Sequence, residues 1–81
     1  MELLEAATYV VTTVREDDPD GEGANSAMDI LMATRTGYDM DDVRGVADLY
    51  NPDNPQHFID AHQTLFDATD EQLAIVAGQI N

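Results

Sequence analysis

Glu16, Asp18, Asp20 and Gly21 stand in the order in which a helix-loop-helix calcium site places its first ligands and its turn. Calcium takes about six to eight oxygens, and such a loop draws them from its first, third and fifth positions, turns on a glycine at the sixth and closes with a bidentate glutamate at the twelfth. Counted from Glu16, the first half is filled. The ninth position falls on Ala24, the twelfth on Ala27, and Pro19 stands fourth. Without its closing carboxylate the loop resembles half a calcium site and holds the ion weakly. The competing reading of EDDPDGEGANS is a solvated turn, with Pro19 fixing one dihedral and Gly21 and Gly23 permitting the rest. The turn is the first expectation, with loosely associated cations around it. A weak site on Glu16, Asp18 and Asp20 is the second.

His57, Asp60 and His62 are the other group with metal-binding side chains. At about 100° per residue a helix brings His57 and Asp60 together and turns His62 away, so the three do not converge on zinc. His57 is expected to pair with Asp60 or with solvent. His62 stands among Phe58, Ile59, Leu65 and Phe66. It reads as a core histidine with one hydrogen bond; a pH-sensitive contact residue is the alternative.

The chain offers little else for catalysis. Cysteine is absent, so thiolate metal sites, disulfides and thiol chemistry are excluded. Ser26, the only serine, sits where a helix cap is expected. A core built from 81 residues buries only about 60% of the unfolded surface, leaving little room for a ligand pocket of the usual roughly few hundred cubic ångströms. A non-enzymatic chain without a cofactor is expected.

Charge is the strongest signal. Seventeen acidic residues face three bases, Arg15, Arg35 and Arg44; lysine is absent, and the net charge is −14. Such self-repulsion strains a small folded body at ordinary ionic strength. Salt at about 1 M shortens the Debye length to about 3 Å and removes most of that strain. The lysine-free, aspartate-rich composition resembles the proteins of haloarchaea that hold salt inside the cell. The same charge repels nucleic acid and anionic lipid. MELLEAA places acids where a secretory signal needs bases, and the longest apolar run, LAIVAG, is far shorter than a membrane span. A cytoplasmic or virion-associated location without an export signal is expected.

The elements that carry these residues read as helices. Residues 2–15 include a β-branched run, but Leu3, Leu4, Ala7, Val10, Val11 and Val14 share a helical stripe and the chain holds no second β-rich run to pair with. After the acidic turn, residues 24–35 resume the stripe, with Asn25 or Ser26 as cap and Gly37 as a left-handed stop. Asp39 caps the next helix, whose apolar face is Met40, Val43, Val46, Ala47 and Tyr50. Asn54 and Pro55 open a fourth helix running to about residue 66. Thr69 and Gln72 form a capping-box pattern before a fifth over residues 70–79. The expectation is a single domain over 1–81, all-α, a compact bundle of about five short helices without a sheet. TGYDMDDV followed by ADLYNPDN resembles the Gly-aromatic turn and Asn of ubiquitin-associated three-helix modules; the spacing after Asn51 departs from that pattern, and no function is carried over.

Binding surfaces are expected on helix faces. In the last helix Leu73, Val76, Ala77 and Ile80 form one face and Ile75 lies nearly opposite. Such a helix is either central and buried on two sides, or turns Ile75 to another subunit. Tyr9 and Leu49 also fall off the main stripes of their helices. The interface candidates are therefore Tyr9, Leu49, Leu73, Ile75, Val76 and Ile80. The leading functional expectation is a small assembly or interaction subunit, haloarchaeal or viral, meeting a protein partner or its own copies. The second is a nucleic-acid mimic of the anti-restriction or anti-CRISPR type, with Asp39, Asp41, Asp42 and Asp48, together with the acidic loop of residues 16–22, standing in for part of a line of phosphates. The third is the weak calcium-binding helix-loop-helix.

Overall fold

The computed structural model describes residues 1–80, and among these the chain forms five helices, one short 3-10 turn and no strand. The first helix, α1, covers Leu3–Asp17. Its β-branched stretch is helical because Ala6, Ala7, Val10 and Val11 fall on one face and are buried there. Thr13 is accommodated by donating its hydroxyl to the Tyr9 carbonyl at 2.8 Å.

The acidic turn is organised by Asp18. Its backbone carbonyl accepts from the Gly23 amide at 2.8 Å, and its two carboxylate oxygens accept from the Gly21 and Glu22 amides at 3.1 and 3.3 Å. Residues Glu22–Ala24 then make the 3-10 turn. Ser26 caps α2, Ala27–Gly37, by accepting from the Asp29 amide at 3.2 Å. Gly37 is not the left-handed stop that the sequence reading expects. It is the last helical residue, no described glycine has a positive φ, and the chain leaves through an extended Tyr38.

Asp39 and Asp42 cap α3, Met40–Tyr50, reciprocally, each carboxylate accepting from the other's amide. Asn54 accepts from the His57 amide at 3.3 Å and Pro55 occupies the first turn of α4, Pro55–Asp67. Thr69 and Gln72 make the same reciprocal exchange at the start of α5, Asp70–Ile80. Each box satisfies two amides that a helix start otherwise leaves without partners.

The bundle is built around α1, which packs on α4, α5 and α2. The α2 and α5 helices also lie together, joined at the surface by an Arg35–Asp70 ion pair of 2.6 Å. These four helices share the main core, in which Leu31, Leu65, Leu73, Val10 and Val11 are the largest fully buried side chains. The position of α3 is different. It packs chiefly on α4, through a separate small cluster of Val43, Ala47 and Phe58, with Tyr9, Met40, Ile59 and Phe66 at its edges. No helix among the described residues is long and apolar enough to cross a membrane.

Candidate functional site

Because α3 leans on α4 and not on α2, a space opens between α2 and α3. It is an open groove of about 1000 Å³. Its floor comes from Val10 and Val14 of α1, Ile30 of α2, Val43 of α3 and Phe58 and His62 of α4. A thin core is expected to leave little room for such a pocket. That expectation fails because the groove is not hollowed from the core; it is the gap left where two helices do not pack.

The walls and rim have a definite chemistry. Tyr38, Val46 and Tyr50 line the groove and are 56%, 37% and 42% exposed, a large share for apolar side chains. Gly37 and Gly45 also line it, and a Cβ added at either would meet nothing within 4 Å. Asp17, Asp18 and Glu22, from the end of α1 and the turn after it, and Asp41 and Asp42, from the start of α3, also line it; no lysine or arginine lines the groove. All five carboxylates belong to exposed residues.

Two groups in the groove are tuned by their surroundings. Tyr50 stacks on Phe58 with ring centroids 5.6 Å apart and points its hydroxyl at the Asp17 carboxylate, 3.5 Å away. The Asp17 charge above all, then burial, holds the Tyr50 phenol above its usual range, so it stays a donor. His62 is buried beneath, its Nδ1 2.8 Å from the Phe58 carbonyl, which requires Nδ1 to carry the proton. Burial lowers its pKa, and the bond to that carbonyl opposes the shift without cancelling it. His62 is thus the core histidine with one hydrogen bond, wedged between Phe58 and Phe66.

The predicted site residues scatter over the molecule. Glu16, Asp18 and Asp20 do not form a cage: among the described residues no three His, Cys, Asp or Glu side chains come together in a metal-holding arrangement. Asp18 turns both oxygens onto backbone amides of its own turn. Gly21, with φ of −102°, does not adopt the left-handed conformation. His57, Asp60 and His62 do not converge either. Asp60 accepts from Gln56 at 2.8 Å instead of pairing with His57, whose ring meets Tyr9 edge-on at 4.8 Å.

Of the interface candidates, Leu73 and Val76 belong to the chain's own core and Ile80 is half-buried against it, so that face of α5 is closed to a partner. Tyr9 is half-buried too, its hydroxyl accepting from Asn51 Nδ2 at 3.1 Å and its ring against Phe58; it ties α1 to α3 and α4. Leu49 at 77% and Ile75 at 60% are the candidates that face solvent, and the exposed Ala74 and Gly78 show that α5 is not a central helix. Of the four aspartates considered as phosphate substitutes, Asp39 and Asp42 are engaged in the α3 cap, Asp41 lies 3.4 Å from Arg44, and Asp48 is exposed. All seventeen acidic residues are exposed, and every helix carries at least one.

The groove residues Tyr38, Val46 and Tyr50 were not read as a site from the sequence. The α3 stripe has the ordinary width of a core-facing helix and so gave no signal that Val46 and Tyr50 stay exposed. No protein-family model matches the chain, and neither a curated protein nor a solved structure gives a significant match.

Proposed function

We propose that this chain is a small, non-catalytic interaction or assembly module, adapted to concentrated salt, that docks onto another protein through apolar helix surface. The observation that carries the reading is the grouping of exposed Tyr38, Val46 and Tyr50 in one open groove. Scattered exposed apolar side chains are ordinary; their concentration in one concavity is the mark of a binding surface. Leu49, three residues beyond Val46 and so on a neighbouring line of α3, extends the apolar surface outside the groove.

The salt adaptation is supported by the placement of the carboxylates on every helix. Solvation in brine calls for acids on all sides, whereas imitation of a nucleic-acid backbone calls for a line of charges on one face. The mimic reading is therefore the weaker of the two. Size-exclusion chromatography with light scattering, run in about 2 M KCl where surface repulsion is screened, tests the docking function. The expected result is a defined oligomer or a co-purifying partner. A strict monomer that carries nothing with it would overturn the proposal.

A further inference from the structure

Resting on that reading, we infer that the α2–α3 groove receives one particular kind of occupant: a cationic amphipathic helix of a partner protein, with its apolar face on the groove floor and its Lys or Arg side chains on the carboxylate rim.

The groove itself narrows the choices. Val10, Val14, Ile30, Val43 and Phe58 make most of the floor apolar, so an extended segment lying there finds few partners for its backbone amides and carbonyls, and no sheet edge exists among the described residues to satisfy them. A helix satisfies its own backbone and presents side chains alone. Two turns of helix, a cylinder about 10–12 Å across and about 11 Å long, occupy roughly the volume of this groove, which is about 1000 Å³. Gly37 and Gly45 leave gaps in opposite walls, where a partner's side chains can enter.

Charge decides which helix. Asp17, Asp18, Glu22, Asp41 and Asp42 line the opening without a basic residue among the lining side chains. An acidic helix placed there adds repulsion, and a neutral one gains nothing from the carboxylates. A helix with Lys or Arg flanking its apolar stripe meets attraction from all five, Glu22 and the outward lone pairs of the others serving as acceptors. A second copy of this chain does not fit: its three bases are divided one each among α1, α2 and α3, so any of its helices brings carboxylates to the rim. In concentrated salt the pairs act only at contact distance, and the apolar floor contributes most of the affinity.

The test uses synthetic helices of about eighteen residues, fluorescently labelled and titrated with the full chain in about 0.5 M KCl. One has leucines on one face and lysines on the other. A second replaces the lysines by glutamates, and a third keeps the lysines but replaces the leucines by serines. The leucine–lysine helix is expected to bind at least about tenfold more tightly than either control. Gly45→Arg should weaken it by at least about tenfold, because the new side chain fills and charges the groove. That loss is not a loss of folding, since arginine suits a helix better than glycine and gains Asp41 as a neighbour four residues before it. Ile75→Asp, on the far helix, should change nothing. The amide resonances of Gly37 and Gly45 should move on binding while that of Gly78 stays. Equal affinity for the lysine–serine helix, indifference to Gly45→Arg, or shifts confined to Gly78 would each overturn the inference. If no helix binds although light scattering shows a defined assembly, the groove assignment falls and the interaction reading survives; a partnerless monomer that also ignores the peptides refutes both.

Discussion

Gly45 and Gly23 make opposite predictions from the same substitution. Gly45 lies inside α3, five residues beyond its start, and a Cβ there would meet nothing within 4 Å. Its backbone is helical, so alanine fits without strain. Glycine inside a helix is less favourable than alanine by about 0.5–1 kcal/mol, and nothing in the packing of α3 recovers that amount. Gly45→Ala should therefore stabilise the chain by about 0.5–1 kcal/mol, which for a domain of this size raises Tm by about 2–8 °C. Gly23 is buried in the acidic turn, where a Cβ would stand 2.5 Å from the Asp18 carbonyl oxygen and 2.8 Å from Arg15 Cα. Both are backbone atoms and cannot swing aside. Gly23→Ala must push the turn from the end of α1 and stretch the 2.8 Å bond from the Gly23 amide to the Asp18 carbonyl. Overpacking of this kind costs about 1–3 kcal/mol, so Tm should fall by at least about 4 °C. Thermal melts followed by far-UV circular dichroism, in a common high-salt buffer, read both. A destabilised Gly45→Ala would mean that α2 closes on α3 and the groove does not exist. A neutral Gly23→Ala would mean that the turn is not folded around Asp18.

Raising KCl from about 0.1 M to about 2 M should raise Tm, most steeply at the low end, as screening removes repulsion among the exposed carboxylates; a flat profile would remove the salt-adapted reading. Asp18→Ala takes the acceptors from the Gly21 and Glu22 amides and should cost about 0.5–2 kcal/mol in a denaturant titration. Because those oxygens are already engaged, millimolar calcium added after EDTA should leave the helicity of the native chain unchanged; a rise in ellipticity would restore the calcium-loop reading. His62 should make the fold acid-sensitive. Its folded pKa lies below the ordinary value of about 6.5, so the unfolded chain takes the proton first. Its stabilising effect is complete above that value and declines as pH falls from there toward the folded pKa. Carboxylates titrating lower down relieve repulsion and act in the opposite direction, so the quantity to read is the difference between the native chain and His62→Gln, measured from about pH 7 to pH 5. A constant difference would contradict the burial argument.

The helices were legible because their boundaries are written in short-range chemistry. Asp39, Asn54 and Thr69 cap as their types require, and the partners Asp42 and Gln72 stand three residues on, where the reciprocal bond can form. The β-branched run in α1 is helical because the chain offers no second β-rich run for a strand to pair with. Local rules failed where a neighbour decided the outcome. Gly37 looks like a stop, but the next helix begins so soon that the chain needs an extended Tyr38 and no left-handed residue. The α5 faces were identified correctly, yet the sequence could not show that Leu73 and Val76 would meet α1 and α2 while Ile75 met only water.

The groove was hidden for a related reason. Met40, Val43, Val46, Ala47 and Tyr50 look like one apolar face of the ordinary kind that a surface helix turns to its core. In the folded chain α3 has one main neighbour, so only Val43 and Ala47, one turn apart, are buried on the seam with α4. Val46 and Tyr50, one turn apart on the adjoining line, are left over. Val46 is exposed, and Tyr50 remains partly exposed although its ring stacks on Phe58, because α2 does not close on that line of α3. A helix supplied from outside would cover that line, and the carboxylates that flank it are why that helix should be basic. On the reading proposed above that uncovered line of α3 is where the partner helix lies, and it becomes readable only once the packing partners of α3 are known.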